Sequence, residues 1–376
     1  MTGTHTELDG FEQLFLNDTP LIDTRAPVEF ERGSFPTATN LPLMDDDERA
    51  AVGTCYKQQG QDAAIALGHQ LVSGSIKEDR ISAWQRFAES HPTGALFCFR
   101  GGMRSGISQQ WLAEAGIHYP RIRGGYKAMR RWLLDELDAI CEQREFIVVA
   151  GKTGSAKTRL LNESNNGKPL AGSIDLEGYA NHRGSAFGRR VGGQPSQISF
   201  EIATAIALVK VDRGHQGSII AEDESKLIGR CSLPPSLQAA LRKAPLVVLD
   251  TTLEERVEHS FENYILANLA EHQALDVDQD RAFEAFASGL LDSIDRIKKR
   301  LGGARHAELR EVMELALADH RRGDDRGHRA WIEPLLRDYY DPMYNYQLKD
   351  RQDRVLFRGR PEEVISFLTL TAGNRV

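Results

Sequence analysis

The 376-residue sequence contains few cysteines and no long hydrophobic run. Its four cysteines are far apart, so none forms the Cys-x-x-Cys pair that builds a zinc knuckle or a dithiol redox site. Apolar runs such as 146–150 are much shorter than the roughly 18 residues that a membrane-spanning helix needs. The N-terminal residues also lack a basic segment followed by an apolar one. We therefore expect a cytoplasmic protein with neither a membrane anchor nor a secretion signal.

An excess of positive charge is also absent. The 47 basic residues are outnumbered by 54 acidic ones, which gives a net charge of −7. This balance argues against a protein that coats nucleic acid over its whole surface, but it permits a local basic patch. With 41% hydrophobic residues the chain can build sizeable cores, and its length favours two domains of roughly 100–200 residues each.

Short apolar segments alternate with amphipathic ones, which predicts an α/β protein. Strands are predicted at 20–23, 95–99, 145–150, 218–221, 246–249 and 354–357. Helices are predicted at 78–89, 107–115, 126–143 and from residue 361, with an almost wholly helical region at about 253–338. In each of two strand-loop-helix units, a loop with candidate functional residues follows a strand. We place the domain boundary near residue 140, between domains at 1–138 and 139–376.

A glycine-rich loop follows the predicted strand 95–99. It contains Cys98, Arg100, Gly101, Gly102, Arg104 and Ser105. Glycines let backbone amides converge on one point, which creates a site for a tetrahedral oxyanion. The amides and arginines also favour the thiolate form of a cysteine. Cys98 is therefore the predicted nucleophile, whereas Cys55, Cys141 and Cys231 lack such neighbours and are predicted to be inert.

A second loop, at 151–158, matches a Walker A phosphate-binding pattern except at one position. Its predicted diphosphate ligands are Gly151, Gly154, Ser155, Lys157 and Thr158. Ala156 stands where the pattern has glycine; alanine is tolerated there if φ stays negative, but it leaves less room for a bound phosphate. Lys157 is predicted to contact the terminal phosphates, and Thr158 is a possible magnesium ligand.

A polar, glycine-punctuated stretch at 175–188 and an acidic segment at 222–225 follow in the same domain. We expect them to line a site through Asp175, Glu177, Asn181, His182, Arg183, Glu222 and Asp223. Basic clusters at 121–132 and 296–310 could hold an RNA backbone, although a solvated helix face is the better explanation for either one. We assign no metal ligand set and no firm cofactor, and the need for magnesium stays open.

Residues 10–135 resemble a rhodanese domain. The resemblance rests on 23–25, on 40–43, on the Cys98 loop and on 124–126. Sulfurtransferases of that family usually place an arginine five positions after the cysteine. Here Arg104 follows six positions after Cys98, the spacing of cysteine-dependent phosphatases, which suits a phosphate-like anion.

The chain as a whole resembles the tRNA 2-selenouridine synthase family. The supporting motifs, besides the two loops, are 56–60, 63–68, 175–188, 222–229 and 339–344. The resemblance implies a rhodanese-like domain followed by a P-loop NTPase-like α/β domain with a helical extension. It also implies conversion of 2-thiouridine at the tRNA wobble position to 2-selenouridine through S-geranyl-2-thiouridine. The implied small substrates are geranyl diphosphate and selenophosphate, the latter supplied by selenophosphate synthetase.

On this interpretation the 151–158 loop binds the diphosphate of the prenyl donor, and the Cys98 loop binds selenophosphate or a selenophosphorylated uridine. Two roles remain for Cys98: it carries selenium as a perselenide, or it attacks phosphorus, which the loop spacing favours. We expect a monomer. A rhodanese-type sulfurtransferase or cysteine-dependent phosphatase would use only the first domain, and a nucleotide-dependent kinase or ATPase only the second.

Overall fold

The computed structural model describes residues 6–164 and 167–372. These residues form two compact units. The first runs up to residue 139 and includes 196–210, and the second contains 140–195 and the chain from residue 211 onward. Within the described ranges, no helix is both long enough and apolar enough to cross a bilayer.

The first unit has a parallel sheet of five strands in its described part, in the order β1-β5-β4-β2-β3. The strands are β1 (Glu7–Leu8), β2 (Leu21–Asp23), β3 (Ala38–Asn40), β4 (Ala95–Phe97) and β5 (Arg121–Ile122). The helices are α1 (Phe11–Leu16), α2 (Pro27–Glu31), α3 (Asp46–Gln59), α4 (Gln61–Leu71), α5 (Gly74–Ser90), α6 (Met103–Glu114) and α7 (Gly125–Gln143).

Central strands of this sheet are apolar because both of their faces are covered. All residues of β2 and β4 are buried, as expected for a parallel sheet between helices. Trp84 of α5 and Trp111 of α6 pack in the same core. The structure thus places Cys98 at the carboxyl end of β4, in the middle of the sheet, where loops of parallel sheets commonly carry binding sites.

The second unit has a parallel sheet in the order β11-β10-β6-β7 and a small antiparallel pair of β8 and β9. The strands are β6 (Phe146–Gly151), β7 (Ile219–Glu222), β8 (Leu227–Ile228), β9 (Cys231–Ser232), β10 (Leu246–Leu249) and β11 (Val355–Gly359). Helix α10 (Gln197–Gly214) falls mostly in the segment 196–210 of the first unit. The helices of the second unit are α8 (Lys157–Glu163), α9 (Leu176–Tyr179), α11 (Pro235–Lys243), α12 (Leu253–Phe261), α13 (Ala267–Leu275), α14 (Gln279–Leu301), α15 (Gly303–Arg321), α16 (Arg329–Leu335), α17 (Asp341–Lys349) and α18 (Pro361–Ala372). Short π-helical segments at Glu262–Leu266 and Leu336–Tyr340, and 3₁₀ turns at Arg326–His328 and Gln352–Arg354, link some of them.

The predicted strands and the helical region are confirmed, with shifted ends. The strand predicted at 95–99 ends at Phe97, because the carbonyls of Cys98 and Phe99 leave the sheet and accept hydrogen bonds from the amides of Tyr126 and Lys127. The strand predicted at 218–221 lies one residue later and includes Glu222. The helix predicted at 107–115 begins earlier, at Met103 directly after the cysteine loop. The region 253–338 forms α12 to α16 around its own apolar core.

Candidate functional site

The Cys98 side chain is nearly enclosed, with 3% of its surface exposed. Its Sγ lies 3.1 Å from the Oγ of Ser105. The Ser105 hydroxyl donates its one hydrogen to the carbonyl of Gly102, at 3.1 Å, so its oxygen is left to accept from the thiol. Ser105 therefore orients the sulfur from behind the loop.

Glycines on a neighbouring turn support the cysteine loop from below. Gly101 has a φ of 63°, and a Cβ there would lie 2.5 Å from the amide nitrogen of Gly124. A Cβ on Gly125 would lie 2.1 Å from the carbonyl oxygen of Cys98. Because no side chain fits at either contact, the 124–125 turn fixes the position of the loop that carries the sulfur.

The arginines of this unit are already engaged with carboxylates. Arg104 contacts both oxygens of Glu29, at 2.5 and 3.2 Å. Partial burial opposes the charge of Arg104, but Glu29 outweighs it and raises the pKa of the guanidinium. Arg25 is buried against Asp23 at 2.5 Å and lies 3.8 Å from the ring centre of Tyr126. Arg100 is exposed beside the loop.

A cavity of about 1670 Å³ opens at the cysteine loop. Of the residues predicted for this site, Cys98, Arg100, Gly102 and Arg104 line it, whereas Gly101 and Ser105 lie behind the loop. Much of the remaining wall is apolar and comes from α3, α4 and α6. The sequence analysis missed this wall because its apolar residues are spread over three helices that read as ordinary core packing.

The phosphate loop of the second unit lies between β6 and α8. Gly154 has a φ of 80°, which glycine adopts without strain. Ala156 does not have the negative φ at which alanine is readily tolerated, since its φ is 61°. The left-handed conformation costs a residue with a Cβ roughly 1–2 kcal/mol. The loop thus keeps the backbone that glycine would favour even though alanine occupies the position.

Two polar side chains of the loop lack an external partner. The Lys157 ammonium folds back to the carbonyl of Gly151, 3.3 Å away. Ser155 is 2% exposed, and its hydroxyl oxygen has no hydrogen-bond partner. Both groups are donors that an anion in the loop would satisfy.

Three carboxyl groups gather behind Thr158. The Thr158 hydroxyl donates to Glu177 at 2.9 Å, and the Glu177 amide contacts Glu222 at 3.3 Å. Burial and the neighbouring carboxylates raise the pKa of Glu222 to about 8. The same two causes raise the pKa of Glu224, and burial raises that of Glu177 despite the nearby Lys157. The cluster therefore retains protons that isolated glutamates would lose.

The 175–188 stretch has mixed roles. Asp175 caps α9 by accepting from the Gly178 amide at 2.7 Å. Asn181, at a φ of 46°, donates to the carbonyls of Val191 and Gly193 and so holds a turn. These two residues shape the backbone that carries the rest of the stretch.

His182 is a buried polar residue of this stretch, and Arg183 beside it is half-buried. The Nδ1 of His182 accepts from the Gly184 amide at 3.1 Å. Burial, with nearby arginines, lowers the pKa of His182 to about 4, so the ring is neutral at physiological pH. Arg183 forms an ion pair with Glu271 at 2.8 Å.

A cavity of about 1380 Å³ opens over the phosphate loop. All five predicted diphosphate ligands line it, together with Asp175, Glu177, His182, Arg183 and Asp223. Asn181 and Glu222 lie behind the wall. Asp223 pairs with Arg351 at 2.7 and 2.8 Å rather than with the loop. Additional basic residues on the wall are Arg159, Arg189, Arg190, Arg230, Arg296 and Arg300.

Several arginines of the two basic clusters singled out in the sequence are ion-paired. In the first, Arg121 and Arg123 bind Glu7, and Arg130 binds Glu201. In the second, Arg310 binds Asp295 at 3.0 Å. Arg296 and Arg300 are its members that reach the phosphate-loop cavity.

The sequence analysis also missed Arg256, which is 2% exposed. This residue of α12 donates to the carbonyl of Thr153 in the phosphate loop at 3.2 Å and to Asp341. An arginine in a helical stretch rich in charged residues gave no signal, because only the fold shows which of them points inward.

Comparison with known proteins identifies the family. The model of the tRNA 2-selenouridine synthase AAA domain matches residues 144–374. A protein named tRNA 2-selenouridine synthase from Hahella chejuensis (strain KCTC 2396) is 54% identical over 358 residues, which are 95% of this chain and 93% of the relative. The chain belongs to the tRNA 2-selenouridine synthase family. A Marinobacter nauticus (strain ATCC 700491 / DSM 11845 / VT8) member of the family is 52% identical over 95% of this chain and 96% of its own.

A solved structure is also similar in sequence. It is the N-terminal domain of a candidate ATP/GTP binding protein from Clostridium difficile 630, 35% identical over 31% of this chain and 89% of that one. Its TM-score of 0.29 is too low to support an argument about fold. The assignment to the tRNA 2-selenouridine synthase family therefore rests on the family model and the near full-length relatives.

Proposed function

We propose that this chain replaces the sulfur of 2-thiouridine at the tRNA wobble position with selenium, in two steps that use its two loops. The observation that carries the proposal is similarity over 95% of the chain to proteins named tRNA 2-selenouridine synthase. Because the similarity spans both units, a function that uses only one loop would leave half of the shared sequence without a role.

In the first step the phosphate loop binds the diphosphate of geranyl diphosphate. The sulfur of 2-thiouridine attacks C1 of the geranyl group, the C1–O bond breaks, and diphosphate leaves with the electron pair while the uracil N3 proton is released. Lys157 and the loop amides stabilise the charge on the leaving diphosphate. The unpartnered hydroxyl of Ser155 and the basic cavity wall support an anion at this position.

The oxygen atoms near the loop also fit magnesium. Within the described ranges no group of three or more His, Cys, Asp or Glu side chains is arranged to hold a metal by itself. Magnesium, however, is usually held by one or two carboxylates together with substrate phosphates. The hydroxyl of Thr158 and the carboxylate of Glu177, which lie 2.9 Å apart and both line the cavity, would hold it. When bound, the ion would supply charge neutralisation of the diphosphate.

In the second step selenium of selenophosphate attacks C2 of the S-geranylated uracil, the C2–S bond breaks, and the geranyl thiolate leaves and takes up a proton. The Cys98 sulfur then loses its proton and attacks phosphorus, and the P–Se bond breaks. The electrons of the P–Se bond form the C2–Se double bond, while the electrons of the C2–N3 double bond move to N3, which takes up a proton. Water hydrolyses the resulting phosphocysteine. The hydrogen bond between Cys98 and Ser105 and the glycine-supported loop provide the nucleophile and the anion cradle.

This scheme assigns a rhodanese-like fold to residues 1–138 and a P-loop NTPase-like fold with a helical extension to residues 139–376. The parallel sheet with the cysteine loop after its central strand supports the first assignment. The scheme also requires selenophosphate from selenophosphate synthetase and places the protein in the cytoplasm as a monomer.

The test is mass spectrometry of the wobble nucleoside after purified protein is incubated with 2-thiouridine tRNA, first with geranyl diphosphate and then with selenophosphate. We expect S-geranyl-2-thiouridine after the first addition and 2-selenouridine after the second. Turnover of thiosulfate or an aryl phosphate without tRNA, with no change in the nucleoside, would instead favour a sulfurtransferase or a phosphatase.

A further inference from the structure

The large cavity beside Cys98 has an apolar side that a selenophosphate site does not need. Its apolar lining residues are Leu43, Met44, Val52, Ala64, Ile65, Val72, Ile107 and Trp111. Selenophosphate is small and charged, so it uses only the loop amides and the nearby arginines. The apolar side therefore calls for a second occupant.

Helices α3 and α4 contribute Val52, Ala64 and Ile65 to that apolar side. Ala64 of α4 is 4% exposed and Trp111 of α6 is 5% exposed, so both belong to the firm floor of the cavity. At the rim, Tyr56 is 58% exposed and Met103 is 46% exposed, large values for such side chains. A ligand with an apolar chain would cover these surfaces, and burial of apolar area is favourable at roughly 25 cal/mol per Å².

The same cavity also has basic lining residues. Arg100 and Lys127 are exposed and line the cavity together with Cys98 and Arg104. The cavity thus offers an apolar compartment as well as basic groups and the sulfur. Its volume of about 1670 Å³ exceeds the roughly 300–1,000 Å³ of a typical small-ligand pocket, so two groups fit side by side.

We propose that the apolar compartment holds the geranyl chain of S-geranyl-2-thiouridine during selenation. The inference rests on the proposed function, in which the geranyl thiolate is the group that leaves C2. The leaving group is attached to the reacting carbon, so it must lie within one chain length of the cysteine loop. An apolar wall at that place takes the chain out of water and points the C2–S bond toward the incoming selenium.

The cavity of the second unit is a poorer match for the chain. Arginine and carboxylate side chains outnumber the large apolar ones on its wall. The aliphatic residues there are Leu227, Ile297 and Met343, and the aromatic ones are tyrosines, whose rings each carry a hydroxyl: Tyr264, Tyr339, Tyr340 and Tyr344. That cavity suits the diphosphate of the donor. We therefore assign the chain of the tRNA-bound intermediate, rather than that of free geranyl diphosphate, to the compartment beside Cys98.

Binding tests the assignment without turnover. The probes are the free nucleosides S-geranyl-2-thiouridine and S-methyl-2-thiouridine, titrated calorimetrically into the full chain. We expect the geranyl nucleoside to bind at least tenfold more tightly than the methyl one. Ile65→Asp places a charge on the half-buried wall and should remove this preference. Ile65→Leu keeps an apolar side chain at the same position and should retain it. Ile76→Asp, on the surface of the same unit outside the cavity, is the matched control.

The results of these titrations distinguish a wrong assignment of the prenyl site from a wrong proposal for the overall reaction. Equal affinity of the wild-type protein for both nucleosides, or an unchanged preference in folded Ile65→Asp, would overturn the assignment. So would slower geranylation in Ile65→Asp with the nucleoside preference intact, because the donor rather than the intermediate would then use the wall. A clear preference for the geranyl nucleoside, together with no selenation of geranylated tRNA, would instead reject the proposed function and leave the prenyl site standing.

Discussion

Asp341 binds Arg256 with both carboxylate oxygens, at 2.7 and 2.8 Å, and accepts a further contact from Lys152 at 3.1 Å. Arg256 in turn donates to the carbonyl of Thr153. Two residues of the phosphate loop are thus tied to one aspartate that follows them by almost 190 positions in the chain. The pair fixes the loop from below, and neither member lines the cavity.

We expect Asp341→Asn to loosen the phosphate loop, because it leaves Arg256 buried without a full counter-charge. Breaking a buried pair in this way costs about 3–5 kcal/mol of the free energy of unfolding. The KM for geranyl diphosphate should rise about tenfold or more, while selenation of tRNA that is already geranylated should keep its rate. Both half-reactions are measured by nucleoside mass spectrometry.

The control is Asp338→Asn, whose carboxylate pairs with the exposed Arg337. Exposed pairs contribute little, so this variant should match the wild type in both half-reactions. Equal losses of geranylation and selenation in folded Asp341→Asn would contradict the positioning role, since a general effect on the whole chain would then explain them.

Cys98→Ala should let geranylated tRNA accumulate. The variant removes the nucleophile at the carboxyl end of β4 but leaves the phosphate loop intact, so the first step continues. 2-Selenouridine should fall by at least two orders of magnitude, the scale typical of a lost catalytic group. Cys55→Ala, a buried cysteine of the same unit outside the cavity, is the control. Selenouridine formed at the normal rate would remove Cys98 from the mechanism.

Lys157→Ala should abolish geranylation, because the loop amides alone cannot offset the charge of the leaving diphosphate. Loss of one preorganised donor of this kind typically costs about 10²–10³ in rate. Selenation of pre-geranylated tRNA should be unaffected. The exposed Lys243 at the end of α11 offers a matched Lys→Ala control. Normal geranylation by Lys157→Ala would exclude the loop as the donor site.

The sequence predicts the features of this site whose residues are close together in the chain. The loops around Cys98 and Lys157 are contiguous and follow buried strands, so pattern and turn chemistry are enough to find them. The Arg256–Asp341 pair and the apolar wall at Ile65 are not local. Each joins helices that are distant in sequence, and a single chain carries no signal for which face of a helix meets which neighbour.

The carboxyl cluster behind Thr158 also depends on contacts that the sequence does not predict. It consists of Glu177, Glu222 and Glu224. The acidic segment after β7 suggests a role near the phosphate loop. Glu222 turns inward, and one of its oxygens has no hydrogen-bond partner. Burial raises the pKa of its carboxyl group to about 8. Neither property can be predicted from the sequence, because both depend on how the chain packs.

Ala156→Gly should stabilise the second unit, because it relieves the left-handed strain at a φ of 61°. Glycine loses more chain entropy on folding, so the net gain should be about 0.5–1 kcal/mol. Ala239→Gly, an exposed position inside α11, is the matched control and should destabilise by a similar amount. Denaturant unfolding measures both changes, and the same sign for the two variants would contradict the strain at Ala156.

His328 should make the helical extension sensitive to acid. It is fully buried, accepts from Trp331 at 3.1 Å through Nδ1, and meets His320 at 3.0 Å through Nε2. Burial, with a contribution from His320, lowers the pKa of His328 to about 4. The unfolded chain binds the proton first, at about pH 6.5. The stabilisation is therefore complete above about pH 6.5 and is lost as the pH falls toward 4.

We expect the free energy of unfolding of this region to decrease by about 2–3 kcal/mol over that interval. His328→Gln, which keeps an acceptor for Trp331 but cannot be charged, should flatten the dependence, and the exposed His118→Gln should not. Hydrogen exchange of amides in α15 and α16 at pH 4.5 and 7 reports on this region alone. In the proposed mechanism, Nδ1 of His328 takes up the proton and loses its hydrogen bond to Trp331. Equal acid sensitivity in wild type and His328→Gln would therefore mean that other groups cause the loss of stability at low pH.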